Sequence, residues 1–159
     1  MKTGKSRALL LDLMLVSNPE LLCVVRAAIE RLTEISGFSP EESRAVTRAV
    51  DEALANIMRH AYGNRPGQSI ELSCRKLSSS IKGKRRDGLE FLFYDHGAPF
   101  DRKKLHSRSL DEVRPGGLGL HLMRDSMDLM RHSRVNGRNR LRLVKFRAVK
   151  TVPQLSQGA

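Results

Sequence analysis

Ser39-Pro40-Glu41-Glu42-Ser43-Arg44-Ala45-Val46 continues through residues 47–50 into Asp51-Glu52-Ala53-Leu54-Ala55-Asn56-Ile57-Met58-Arg59-His60-Ala61-Tyr62, the strongest helix signal in the chain. Ser39 and Glu42 make a capping box, and Pro40 stands at the first helical position, where its missing N–H costs nothing. Apolar residues then recur in pairs, Ala45/Val46, Ala49/Val50, Ala53/Leu54 and Ile57/Met58, which defines one broad buried face. A second stripe carries Arg48, Glu52, Asn56 and His60. Four-residue steps advance about 40° around a helix, so these four side chains follow one gently drifting line. Gly63-Asn64-Arg65-Pro66-Gly67 is turn chemistry and ends the element.

Upstream, Ala8–Val16 is an apolar run of strand length, broken only by Asp12. Ser17-Asn18-Pro19-Glu20 then offers a cap, a first-turn proline and an acid for the helix dipole, so a helix is expected to about Ser36, stopping at Gly37. Downstream, Ser69–Leu77 and Leu89–Tyr94 read as strands, with Ser78–Gly88 as an exposed connection carrying four basic residues. Residues 95–117 show no sustained period and are long for a structureless loop, a length typical of lids and binding elements. Helical spacing returns from Leu118 to about His132 through Leu122, Met123, Met127 and Met130, and Asn136-Gly137 turns the chain into a last strand, Leu141–Val149. The expectation is one domain over residues 1–152 with a disordered tail, 153–159.

Composition bounds the function. The chain has 159 residues, 40% hydrophobic and 29% charged, too apolar for disorder and too evenly charged to span a bilayer. No stretch approaches a membrane span and no secretory signal follows Met1, so a cytoplasmic location is expected. Cys23 and Cys74 are too few for a disulfide framework and read as reduced core residues. The net charge is +12, yet residues 1–60 hold 8 basic and 8 acidic side chains, so the whole excess lies in residues 61–159. Only 4% of residues are aromatic and none is Trp, which disfavours nucleic acid as the partner of that charge.

Familiar nucleotide and metal signatures fail. Gly4-Lys5-Ser6 lacks the earlier glycine of a phosphate loop, Gly117-Leu118-Gly119 has Leu122 where a dinucleotide fingerprint needs glycine, and the histidines and cysteines show no zinc spacing. Three blocks remain: Glu52 to Tyr62 on the capped helix; Phe91-Leu92-Phe93-Tyr94-Asp95-His96-Gly97, a strand ending in Asp-x-Gly; and Arg114-Pro115-Gly116-Gly117-Leu118-Gly119-Leu120, glycines at the mouth of a helix. Taken singly, each has a plain structural reading: a solvated helix face, a strand followed by a turn, a flexible hinge. Their joint occurrence, in this order and in a domain of this size, outweighs that.

The three blocks resemble the N box, the Asp-x-Gly box and the glycine-rich lid box of the GHKL ATPase superfamily. Glu-Ala-Leu-x-Asn-x-x-x-His-Ala-Tyr with a compact Gly-Gly-x-Gly-Leu is most similar to its small anti-sigma-factor serine/threonine kinases, over roughly residues 8–150. The resemblance implies an α/β fold of the Bergerat type, an α+β two-layer sandwich with a mixed sheet and helices on one face. It implies ATP/ADP and Mg²⁺ as ligands, with a sigma factor and an anti-anti-sigma protein, the serine substrate, as partners, and a homodimer. On this sequence it assigns Glu52 as general base, Asn56 as the Mg²⁺ ligand, Asp95 as acceptor of the adenine amino hydrogen and Gly97 as the point of close backbone approach. Gly116, Gly117, Leu118, Gly119 and Leu120 enclose the phosphates, with Arg114 at the lid's end.

These roles are chemically coherent. Magnesium takes oxygen ligands and keeps waters, so one Asn oxygen beside phosphates suffices. Phosphoryl transfer needs mainly positioning and charge stabilisation, and a glutamate one turn from the metal ligand is placed to orient a hydroxyl. Two features depart from the family: Asn139 and Arg140 stand where threonine is usual near the adenine, and Arg131, Arg134, Arg138, Arg140, Arg142, Lys145, Arg147 and Lys150 exceed what one ATP requires. The alternative reading is a catalytically inactive ATP-binding or basic protein-interaction module of the same fold.

Overall fold

The computed structural model describes residues 7–81, 84–100 and 118–148. Five strands, β1 (Arg7–Val16), β2 (Ser69–Ile81), β3 (Lys84–Asp95), β4 (Leu129–Val135) and β5 (Arg138–Phe146), form one sheet in the order β1-β2-β3-β5-β4. Three helices, α1 (Leu22–Ile35), α2 (Pro40–Asn56) and α3 (Leu118–Ser126), pack on one face of it. The two-layer α/β sandwich is therefore as expected.

All four strand pairings are antiparallel, which corrects the mixed sheet. The reason is in the connections. Two helices lie between β1 and β2, so the chain reverses three times and returns antiparallel, whereas one helix, with two reversals, would return it parallel. β3 and β4 do point the same way across α3, but β5 lies between them and no parallel pair forms.

The capping box of α2 is present, with Ser39 accepting from the Glu42 N–H and Glu42 accepting from the Ser39 N–H at 2.8 Å. The inner faces of the strands, Ile70, Leu72, Cys74, Leu89, Phe91, Phe93, Leu141 and Leu143, meet Val25 and Ile29 of α1, Val46, Ala49, Val50, Ala53 and Leu54 of α2 and Met123 of α3. Each fully buried Phe or Leu here contributes roughly 2 kcal/mol.

Several local expectations change. The third helix ends at Ser126, and Leu129–Val135 is strand. The helical spacing persists through Met127 and Met130 because both still reach the core, but hairpin pairing with β5 wins from Asp128 onward, whose N–H bonds Val144 O at 2.9 Å. The two-residue turn at Asn136 and Gly137, with φ of 50° and 76°, starts β5 at Arg138, and it ends at Phe146. The basic connection is mostly strand, to Ile81 and from Lys84. Cys74 is buried, but Cys23 is exposed, on the side of α1 opposite Val25. The tail 153–159 lies outside the described residues.

Candidate functional site

α2 does not end as a regular helix. Residues Ile57–Ala61 form a π-turn, with the Tyr62 N–H reaching back to Ile57 O at 3.0 Å. Widened turns of this kind redirect the side chains that follow. Tyr62 is buried, its hydroxyl donating to Ser69 O and accepting from the His96 N–H at 3.0 Å. That one phenol ties the end of α2 to the start of β2 and the end of β3.

The Asp95-His96-Gly97 corner docks on this turn. Ala98 N donates to Ala61 O at 2.8 Å, and a Cβ on Gly97 would lie 2.4 Å from the same carbonyl oxygen. Glycine is required here by packing of one backbone on another, a reason local to the protein. Asp95 is 5% exposed; its Oδ1 accepts from the Gly97 N–H at 2.9 Å and from Asn139 Nδ2 at 2.8 Å. Oδ2 has no hydrogen bond to a described residue. Burial pushes the carboxyl above its ordinary value, and these two donors pull it partly back.

Asn139 is therefore part of the site, in the place where threonine was the expectation. Arg134 donates to its Oδ1 at 2.9 Å, which leaves Nδ2 to serve Asp95, Gly97 O and Ala98 O. Arg134 thus fixes the amide's orientation through the hydrogen-bond network.

On α2, Glu52 and Asn56 lie one turn apart and both are half-buried. Gly119, at the start of α3, sits so close that a Cβ there would overlap Glu52, at 1.9 Å from Oε1. The structure thus brings the first helix block and the last glycine of the third block into contact. Leu120 packs against the hydrophobic core rather than joining them. Arg114, Gly116 and Gly117 lie outside the described residues, and of Leu118 only the backbone is described.

Arg59 is the residue that sequence reasoning missed. Its Nη2 binds Glu52 Oε1 at 3.0 Å and lies 3.4 Å from Asn56 Oδ1. The signal was present: Arg59 is three residues after Asn56 and seven after Glu52, the same helix face.

No group of three or more His, Cys, Asp or Glu side chains converges to hold a metal among the described residues. Asn56 Oδ1 is an oxygen of the kind magnesium takes, so a metal here fits only with oxygens brought by a phosphate ligand, and with Arg59 displaced from that atom.

Comparison with known proteins matches residues 15–145 to the histidine kinase-like ATPase domain. The chain belongs to that family. It is 29% identical over 127 residues to the serine-protein kinase RsbW of Bacillus pumilus, covering 75% of each chain. It is 31% identical over 123 residues to RsbW of Bacillus licheniformis, covering 72% of each. It is 36% identical over 107 residues to the serine/threonine-protein kinase BtrW of Bordetella bronchiseptica, covering 65% of this chain and 70% of that one. The resemblance to the GHKL superfamily and its small kinases is borne out at the level of family. No helix among the described residues is long and apolar enough to cross a membrane.

Proposed function

We propose that the chain is an ATP-binding, Mg²⁺-dependent protein serine/threonine kinase that acts on an anti-anti-sigma protein and also holds a sigma factor, in the cytoplasm. The observation that carries this reading is the cradle of Asp95, Gly97 and Asn139 docked on the end of the helix that bears Glu52 and Asn56. A buried carboxylate with one oxygen committed to the protein and the other without a partner among described residues suits the exocyclic amino group of adenine. Guanine offers a carbonyl at that place and leaves the carboxylate facing an acceptor, a penalty large enough for selectivity.

Asn56 would hold Mg²⁺ through Oδ1, and the ion, when bound, supplies charge neutralisation for the phosphates. Glu52 orients the incoming serine hydroxyl and accepts its proton. Arg59 pairs with Glu52 and so fixes the direction of its carboxylate, and its guanidinium is positioned to turn from Asn56 toward phosphate oxygens. Gly119 keeps space over Glu52 that any side chain would fill. Gly116, Gly117 and Arg114 complete the phosphate enclosure in this reading. The names of the relatives, serine-protein kinases, support the direction of transfer.

A second reading, a nucleotide-binding module without turnover, is favoured by one contact, the engagement of Glu52 by Arg59 in an ion pair. Transfer of labelled γ-phosphate to a serine of the partner separates the two. The kinase reading expects transfer by the native chain, none by Glu52→Ala with ATP still bound, and loss of nucleotide binding in Asn56→Ala. Binding of ATP by the native chain without any transfer selects the second reading.

A further inference from the structure

The helix-free face of the sheet carries a charge that the nucleotide does not explain. Residues 129–146, the β4–β5 hairpin, hold six Arg and Lys side chains and no acid, and four of them, Arg131, Arg138, Arg140 and Arg142, lie on this face. On that face the register sets Arg142 directly against Arg131 and Arg140 against Ser133, with Arg138 one step before them. Asp95 and Asn139 alternate with Tyr94 and Arg140 along their strands, so they lie on the opposite, helix-bearing face.

The arginines are unequally committed. Arg142 binds the buried Glu90 at 2.6 Å, and Arg138 reaches Glu71 at 2.7 Å while lying 4.7 Å over the ring of Tyr94. Arg140 uses its Nε on Ser133. Arg131 is exposed and makes no hydrogen bond or ion pair with a described residue. Like charges directly opposed across a strand pair destabilise a sheet, and Arg131 faces Arg142 with only the Arg142–Glu90 ion pair to offset that cost.

We propose that this face of the β4–β5 hairpin, centred on Arg131 and Arg140, docks an acidic polypeptide. Arg131 and Arg140 are diagonal neighbours across the β4–β5 pair, roughly 7–8 Å apart, not far from the roughly 6 Å between carboxylates four residues apart on a helix. Guanidinium groups pair with carboxylates in a planar fork, which gives such a surface geometric selectivity as well as attraction. A protein partner fits better than nucleic acid. The ring of Tyr94 lies under Arg138 and that of Phe146 under Arg86, at 5.1 Å, so neither ring face is open for stacking on those sides. Glu71 and Glu90 stand among the arginines, which repels a continuous phosphate backbone but leaves gaps for discrete side-chain carboxylates.

Fluorescence anisotropy of labelled poly-L-glutamate and of labelled oligothymidylate, in about 0.15 M salt, tests this with the full chain. The native chain should bind polyglutamate more tightly than oligothymidylate. Arg131→Glu with Arg140→Glu should weaken polyglutamate binding at least about tenfold, while Arg31→Glu with Arg124→Glu, an equal charge change on α1 and α3, should change it by no more than about twofold. Asn56→Ala should bind as the native chain does, which separates failure here from failure of the nucleotide reading. Arg131→Thr alone should raise the thermal midpoint by relieving the opposed pair. No polyglutamate binding by the native chain, equal losses in both double variants, tighter binding of oligothymidylate, or a lower midpoint in Arg131→Thr each overturns the proposal.

Discussion

The two faces of the sheet treat polar groups in opposite ways. On the helix-bearing face they are few and closely committed: Asp95 Oδ1 takes two donors, Asn139 is oriented by Arg134, and Tyr62 both gives and receives. On the helix-free face arginines are crowded, and Arg131 has no described partner. The first pattern is that of a preorganised small-ligand site, in which each misplaced atom is costly. The second is that of a surface, tolerant of single changes and sensitive to salt. Net charge therefore misleads as a guide to the chemistry: the proposed nucleotide cradle is built from an acid, an amide and a glycine, and most of the hairpin's cations lie on the other face.

If the contrast is right, substitutions on the helix-bearing face have the larger effects. Gly97→Ala should be the most damaging, because its Cβ would meet backbone at Ala61 that cannot swing aside. A loss of about 1–3 kcal/mol in denaturant unfolding is expected, together with loss of ATP binding. Gly119→Ala tests the same idea more gently, since the atom it meets belongs to the flexible Glu52 side chain: stability should fall less, and phosphotransfer should fall more than ATP binding.

Asn139→Ala comes next. Removing that donor leaves burial less opposed at Asp95, so its carboxyl rises further above the ordinary 3.8, and the acid limb of ATP binding should move to higher pH. Affinity at neutral pH should drop by about 1–2 kcal/mol, read by titration across pH. A limb that stays put would contradict the hydrogen bond's role.

The smallest expected effect is at the far end of α2. Burial raises the Glu42 carboxyl, but the N–H groups of Ser39 and Ala148 outweigh it and the net shift is downward. Glu42 therefore stabilises the fold above its unfolded value, and that increment is lost as pH falls through the lower folded value. Ser39→Ala should cost about 1 kcal/mol in unfolding and leave nucleotide binding unchanged.

Local chemistry explains what was legible in the sequence. The capping box, the paired apolar steps of α2 and the Asn136-Gly137 turn act over a few residues, and all three appear as read. β4 was hidden because Leu118, Leu122, Met123, Met127 and Met130 keep a helical period while the chain has already left the helix, a choice decided by pairing with β5. The π-turn has no compositional mark. Asp95 and Asn139 are 44 residues apart, so their bond depends on the register of β3 with β5, which no local pattern carries. Arg59 alone was within reach, its spacing from Glu52 and Asn56 being plain on the helix.

The central claim is that a buried Asp95 selects adenine. Its ionisation is a cost to the fold: with its value raised by burial, the associated stability is full below the unfolded value and is lost as pH rises through the folded one. Asp95→Asn should therefore be at least as stable as the native chain at neutral pH while losing the ligand. Calorimetric titration of the native chain and Asp95→Asn with ATP and GTP in the presence of Mg²⁺ reads this directly. The account predicts heat from ATP but not GTP with the native chain, and a loss of ATP affinity of roughly 100-fold in the folded variant. Equal binding of ATP and GTP, or unchanged ATP affinity in Asp95→Asn, would contradict it.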